Sequence, residues 1–235
     1  MKPLGRKAYG SIPHLPASRL GPGDHYISPG QQVILTEKAR DSRDRIIVSE
    51  KLDGACVAIA RKDGELLALG RAGYLAQSCP HVHVQHFGIW LDQNKARFAH
   101  LAEGERLCGE WLSVAHGTLY APMDIPFVPF DLMVAGDRLP IDQMKAVAAK
   151  AGLAPAYTLH DGGPLSVQQA LSLIERGGFH GALDDVEGCV WRCERDGKFE
   201  FIAKFVRHEK QDGKYLEEFS GNQPIWFWKP AEIAA

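Results

Sequence analysis

Two Asp-Gly pairs, Asp63-Gly64 and Asp196-Gly197, constrain the fold of this chain more than any other feature. Each separates apolar runs: residues 55–60 from 66–69 in the first case, and 186–191 from 199–205 in the second. Asp-Gly in that setting is the strongest short-range hairpin signal, because the tight turn needs positive φ at both central residues. The sequence therefore commits to two antiparallel hairpins built on one plan. Each has chemically useful residues where its first strand begins, Lys51-Leu52-Asp53-Gly54 in one and Glu187-Gly188 in the other. Each also ends on basic residues, Arg71 in the first and Lys204 with Arg207 in the second. Facing each other, such hairpins make a cleft floored by strands and lined by charge.

The rest of the chain fits around that pair. Ile46-Ile47-Val48 is a β-branched strand that delivers Lys51 at its end. Helices are expected from Pro140 to Lys150, with Gly152 as the stop, and from the capping box at Ser166 to before Gly177. A third is expected from His86 to Ala102. Residues 1–45 are broken by Pro13, Pro16, Pro22 and Pro29. Trp226, Phe227 and Trp228 in the tail are expected to pack on the core. The fold class is α+β, with antiparallel sheets flanking a cleft and helices at the periphery. At 235 residues the chain has length for one full core, and 1–235 is expected to be a single domain with no separate C-terminal domain.

Composition narrows the function classes. Five cysteines, an odd and scattered set, indicate reduced thiols and hence a cytoplasmic protein, not a disulfide scaffold. No uninterrupted apolar run approaches the roughly 20 residues that a membrane helix needs, and Met1–Pro13 lacks the apolar core of a secretory signal. A formal net charge of −2 shows no basic excess, so any polyanion must be met by a local cluster of cations.

The chemistry lies in the order of short motifs. Lys51-Leu52-Asp53-Gly54 places a lysine after a strand and before a glycine that lets backbone approach a phosphate. Alone it is weak, since Lys-x-Asp-Gly arises by chance in roughly one chain of this length in twenty. Glu110, in the apolar stretch 107–112, and Asp131, in 127–133, pose a common question. A carboxylate there is costly unless it is satisfied, either by a buried ion pair or by a ligand. Phe130 reads as core by itself, or as a platform for a base. As a set, a lysine nucleophile, carboxylates, an aromatic and a second lysine suit one chemistry. Lys51 attacks the α-phosphate of a nucleoside triphosphate and carries the nucleotide as a phosphoramide, while the others hold ribose, base, metal and phosphate.

That ordered set resembles the covalent nucleotidyltransferase superfamily of ATP-dependent DNA and RNA ligases and mRNA capping enzymes. The matching positions are Lys51-Leu52-Asp53-Gly54, Arg71, Glu110, Phe130-Asp131, Glu187-Gly188 and Lys204, within residues 49–207. Ser49-Glu50-Lys51-Leu52-Asp53-Gly54 followed by an apolar strand is most similar to RNA ligases of the RNA-editing type. DNA ligases usually carry an arginine soon after the glycine, where Ala55-Cys56-Val57 stands here. Ser11–Pro16 also resembles the start of some bacterial RNA ligases. The resemblance implies an ATP-grasp-like nucleotidyltransferase domain that forms lysyl-AMP on Lys51 and joins RNA 5′-phosphate to 3′-hydroxyl ends. It implies catalytic roles for Lys51, Asp53 and Lys204. It also implies ATP contacts from Glu50, Gly54, Arg71, Glu110, Phe130, Glu187 and Arg207, and magnesium, or manganese in its place, at Glu187. A bound magnesium, Lys204 and Arg207 would lower the Lys51 pKa and supply the neutral amine.

Two positions depart from the family pattern. Valine stands where the last motif usually has a second lysine (Lys204-Phe205-Val206), and Arg207 reaches the same face only if a bulge intervenes. The length also leaves no room for the C-terminal domain with which such enzymes grip the acceptor. Open alternatives are a DNA ligase or capping-type enzyme, a nucleotide- or RNA-binding module without catalysis, and an enzyme whose partner chain binds the acceptor. Outside the pattern, Cys79, His81 and His83 alternate; on a strand they would share a face and could ligate zinc.

Overall fold

Both Asp-Gly turns form as the sequence dictates: φ is +52° and +79° at Asp63 and Gly64, and +50° and +71° at Asp196 and Gly197. In the computed structural model, which describes residues 1–174 and 177–231, these turns close the two hairpins. Helix α1 (Pro29–Thr36) precedes strand β1 (Asp44–Lys51); the first hairpin is β2 (Ala55–Lys62) with β3 (Glu65–Gly70). Then follow α2 (Val82–Asn94), β4 (Glu105–Trp111), β5 (Phe127–Val134), β6 (Asp137–Arg138), α3 (Ile141–Lys150), β7 (Thr158–Gly162) and α4 (Val167–Ser172). The second hairpin is β8 (Gly188–Arg195) with β9 (Lys198–Val206).

The hairpins do not pair with each other. They seed two separate sheets, of order β7-β1-β8-β9 and β3-β2-β4-β5-β6, in which every named pairing is antiparallel. The chain crosses from one sheet to the other between Lys51, the last residue of β1, and Ala55, the first of β2. The Leu52-Asp53-Gly54 link is therefore the seam of the molecule. A Cβ on Gly54 would lie 2.6 Å from the Trp111 carbonyl oxygen, so only glycine fits that crossing.

Each sheet is backed by helices on its outer side. Val84, Phe87, Gly88 and Leu91 fall at the i, i+3, i+4, i+7 spacing of a helix face. Val84, Phe87, Leu91 and Trp90 pack α2 against Val57, Ile59, Leu107, Trp111 and Phe127 of the five-stranded sheet. Phe87, Trp90, Trp111 and Phe127 form a mutually packed aromatic group with centroids 5.3–6.1 Å apart; burying each such side chain is worth about 1.5–3 kcal/mol. Leu35 of α1 and Ala170 of α4 cover Ile46, Val48, Cys189 and Trp191 of the other sheet.

The helices differ from the sequence expectations in instructive ways. Pro29 opens α1 behind an N-cap Ser28 instead of breaking it. Helix α3 and the Ser166–Gln169 capping box form as expected, but α4 stops at Ser172. Helix α2 begins four residues before His86 and gives way to a 3-10 turn at Lys95–Phe98. Its early start removes the strand geometry on which Cys79, His81 and His83 would share a face: His81 is the helix N-cap and His83 lies in the first turn. The tail packs on the core as expected, with Trp228 5.3 Å from Trp111 and Phe227 5.9 Å from Tyr120. Ala235 and the three residues before it lie outside the described residues. No described helix is long and apolar enough to cross a membrane.

Candidate active site

A cavity of about 290 Å³ opens between the two sheets, and the predicted residues gather around it. Its walls include Glu50, Lys51, Asp53, Gly54, Arg71, Glu110, Phe130, Glu187 and Lys204. The topology explains the convergence. Lys51 ends β1 opposite Gly188, so Glu187, one residue before β8, is brought beside it, and Lys204 faces Val190 across the same hairpin. Glu110 and Phe130 come from β4 and β5 of the other sheet.

Lys51 Nζ lies 2.5 Å from Glu187 Oε2. Burial works against its charge, but Glu187 and then Glu110 overcome burial and hold the ammonium above the ordinary lysine range. The expected lowering counted a bound magnesium; around the free lysine the nearest charges are carboxylates, and they act in the opposite direction. Lys204 behaves in the expected direction, its pKa lowered by burial and then by Lys51. Burial pushes the Glu110 carboxyl up to about 7, against the opposing pull of Lys51. Glu110 Oε1 accepts from Gly54 N at 3.1 Å, which ties it to the seam.

Other predicted residues are placed differently. Glu50 belongs to the wall, but strand alternation turns its carboxylate away from Lys51, to accept from Phe179 N at 2.8 Å. Asp53 does not pair with Lys51; its Oδ2 lies 2.6 Å from Lys210 Nζ and accepts from Gly117 N at 2.8 Å. Arg207 is not part of the cavity wall. Lys204 and Arg207 are an odd number apart, and the one irregularity in the β8–β9 pairing lies at Cys193/Glu194, so no bulge restores Arg207 to the cleft face. Asp131 settles its question as an ion pair: Arg192 Nη1 lies 2.5 Å from Oδ1 and Arg138 Nε 2.9 Å from Oδ2.

The N-terminal segment contributes what the motifs did not announce. Leu15 N donates to the Lys204 carbonyl at 2.8 Å and Lys204 N to the Pro13 carbonyl at 2.9 Å, so residues 13–15 run beside β9. His14, buried, bonds Ser18 Oγ and Asp24 Oδ2, and Asp24 Oδ1 lies 3.8 Å from Lys204 Nζ. Tyr9 packs edge-on against Phe130 at 5.1 Å and donates to Asp131. The sequence signal for this wall was slight, a proline-punctuated stretch at Ser11–Pro16. Lys210 had no signal at all.

His81, His83 and His116 form a chain of imidazoles, with centroids 5.5 and 5.1 Å apart. Cys79 precedes the helix and is not part of that chain. Among the described residues no three His, Cys, Asp or Glu side chains are arranged to hold a metal ion.

A model of the RNA ligase family matches residues 44–206, and the chain belongs to that family. The fold is similar to that of an archaeal ATP-dependent RNA ligase, with TM-score 0.53 and 23% identity over 85% of this chain and 48% of that one. It is also similar to the Naegleria gruberi RNA ligase. One variant of that protein with ATP and Mn gives TM-score 0.54 and 17% identity over 90% of this chain and 62% of that one. Another with AMP and Mn gives TM-score 0.51 and 16% identity over 71% and 50%. This chain thus spans about half the length of the solved structures it resembles. No curated protein matches the sequence.

Proposed function

We propose that the chain is an ATP-dependent RNA ligase that transfers AMP from ATP to Lys51, then to an RNA 5′-phosphate, where an RNA 3′-hydroxyl displaces it. The observation that carries this reading is the setting of Lys51: a lone attacking amine position at the seam between two sheets, with Glu187, Glu110, Arg71, Phe130 and Lys204 around one cavity. In the first step the Lys51 ammonium gives up one proton, the neutral Nζ forms a P–N bond to the α-phosphorus as the bond to pyrophosphate breaks, and a second proton leaves the nitrogen for solvent or pyrophosphate, so that a phosphoramide N–H remains. Phe130 stacks on adenine, Glu110 accepts from the ribose hydroxyls, and Arg71 and Lys204 contact phosphate.

The donor set fits a divalent metal. Glu187 is buried with its pKa raised, by burial against the opposing pull of Lys51, so an added cation there relieves an unfavourable charge. The want of a preformed cage among the described residues suits magnesium, which keeps several waters and shares phosphate oxygens. The Naegleria structures hold ATP or AMP with Mn, which supports manganese as an alternative. When bound, the ion neutralises charge on the phosphates as pyrophosphate leaves. Glu187, were it to hold the ion, would favour the Lys51 ammonium less, which would ease release of the proton from Nζ.

A net charge of −2 supports weak unaided grip on RNA, and a partner chain that holds the ends would raise sealing. The test is incubation with α-labelled ATP or GTP and magnesium, followed by peptide mapping. AMP on Lys51, lost in Lys51→Ala, is expected. Label from GTP alone would make this a capping-type enzyme, and active protein with no label on Lys51 would sink the proposal.

A further inference from the structure

An overall charge of −2 is spread unevenly along this chain. Residues 1–23 carry Lys2, Arg6, Lys7 and Arg19 without one Asp or Glu. Residues 66–91 carry Arg71 and three histidines, again without an acid. The fold brings these two acid-free stretches together. The Arg71 carbonyl accepts from Ala8 N at 3.0 Å and from Tyr9 N at 3.2 Å. Lys62 Nζ donates to the Pro3 carbonyl at 2.6 Å and fixes the start of the segment. A Cβ on Gly73, where φ is +88°, would lie 2.1 Å from the Arg6 carbonyl oxygen, so the turn after β3 meets the N-terminal segment at a distance only glycine permits. Lys2 Nζ lies 5.2 Å from the centre of the Tyr74 ring, and Tyr74 is 48% exposed.

The cations of this surface are unmatched. Among the described residues none of Lys2, Arg6, Lys7 and Arg71 forms an ion pair. By contrast, Arg40, Arg43, Arg45 and Arg195 each face at least one aspartate. Like charges gathered without counter-charges repel one another, and a polyanion laid across them relieves that repulsion. The position of the surface says which polyanion fits. Tyr9, Gly10 and Arg71 also belong to the wall of the cavity that holds Lys51, so a strand lying on the surface leads into the site where its end would react. The exposed Tyr74 offers a ring to a base. Cations beside an exposed aromatic are how single strands are gripped without regard to sequence.

We propose that residues 1–10 and the 71–75 turn form the docking surface for single-stranded RNA next to the end being joined. Lys2, Arg6 and Lys7 hold phosphates, Tyr74 stacks on a base, and Arg71 marks the entry to the cavity. The identity of the strand rests on the ligase reading; the existence of the surface does not. The grip is modest, because about three or four phosphate contacts are few.

The experiment follows binding of a short fluorescent oligouridylate by anisotropy over a range of salt concentrations, without ATP. The proteins are wild type, Lys2→Ala/Arg6→Ala/Lys7→Ala, Tyr74→Ala, Tyr74→Phe, and the charge-matched control Lys38→Ala/Lys150→Ala/Lys198→Ala, whose three lysines are exposed elsewhere. The triple variant of the surface should bind at least tenfold more weakly at low salt. Its slope of log affinity against log salt should be shallower by about 2, since each phosphate contact on a single strand contributes about 0.7. Tyr74→Ala should lose about tenfold in affinity with its slope kept, and Tyr74→Phe should bind like wild type. No binding by wild type, an unmoved slope in the triple variant, or an equal change in the control overturns the proposal. Binding to vesicles of anionic lipid without binding to RNA assigns the surface to a membrane and overturns it too. If the triple variant does not fold, photo-cross-linking of thiouridine-containing RNA to the wild-type protein decides: adducts on residues 1–10 or Tyr74 support the proposal, and adducts only elsewhere overturn it. RNA binding that depends on these residues, with no AMP on Lys51, keeps the surface and sinks the ligase reading. AMP on Lys51 with RNA binding indifferent to them does the reverse.

Discussion

Two buried clusters of charge line the same cleft and differ in how completely they are satisfied. Asp131, 1% exposed, accepts from Arg192, Arg138 and Tyr9. Arg192 in turn reaches Glu194 at 2.6 Å, and Glu194 accepts from Ile141 N at 2.7 Å. Since Asp131 is on β5 and Arg192 on β8, this network is a strut between the two sheets. Across the cleft, Glu110 and Glu187 share Lys51 as their nearest cation, and both carboxyls are pushed up by burial. Asp131 is closed, with both oxygens taken, and has no use for a ligand. The second cluster holds excess negative charge that a metal and a nucleotide's hydroxyls would relieve. Burial of a carboxylate is common to both; the supply of partners separates structure from chemistry.

The largest effect that tests this contrast is on stability. Asp131→Ala leaves two guanidiniums without their carboxylate and should cost about 3–5 kcal/mol, read as a fall in the urea midpoint. The AMP label per folded molecule should change only a few-fold. A loss of label with unchanged stability would make Asp131 part of the chemistry and erase the distinction.

Next in size is Glu187→Ala, which should slow adenylation about a hundredfold or more while ATP affinity falls only a few-fold, because metal-assisted charge neutralisation acts in the transition state. Its stability should change little, since the substitution removes a buried carboxylate together with an ion pair. Equal losses of rate and affinity would recast Glu187 as a structural partner of Lys51.

How far the sequence carried these distinctions can be followed residue by residue. The hairpins were legible because Asp-Gly turns are local signals, and Lys51, Glu110, Phe130, Glu187 and Lys204 because each lies in or beside a strand whose alternation fixes its side. Arg207 was legible as a problem, and the unbroken alternation from Lys204 decides it. The pairing of Asp53 with Lys210 and of Lys204 with Asp24 was not legible, because nothing local to a loop says which distant segment it meets. The direction of the Lys51 shift was missed for a related reason: motif order names the neighbours but not which of them stand closest. The helix expected from His86 starts earlier, at Val82, because the helical spacing from Val84 to Leu91 runs through the stretch where Cys79, His81 and His83 merely alternate.

The smallest predicted effect separates the clusters by the sign of what neutralising one carboxylate does to stability. The Glu110 carboxyl stands at about 7 in the folded protein, against an ordinary value of 4.5. A folded-state value raised above the unfolded one means that the folded state binds the proton more tightly. The folded protein therefore loses stability as pH rises from about 4.5 to 7, where the unfolded chain ionises freely and the folded one resists. Glu110→Gln keeps an oxygen to accept from Gly54 N but carries no charge. It should therefore stabilise the ligand-free protein by about 1–3 kcal/mol at pH 8, with the gain shrinking towards pH 5, while adenylation weakens through the lost ribose contact. Asp131→Asn should be destabilising at both pH values, because it leaves Arg192 and Arg138 without the carboxylate they bracket. Melting curves of the two variants at pH 5 and pH 8 check this directly. A Glu110→Gln that is less stable than wild type at pH 8 would place Glu110 with Asp131 among the satisfied charges, and the open cluster would reduce to Glu187 and Lys51.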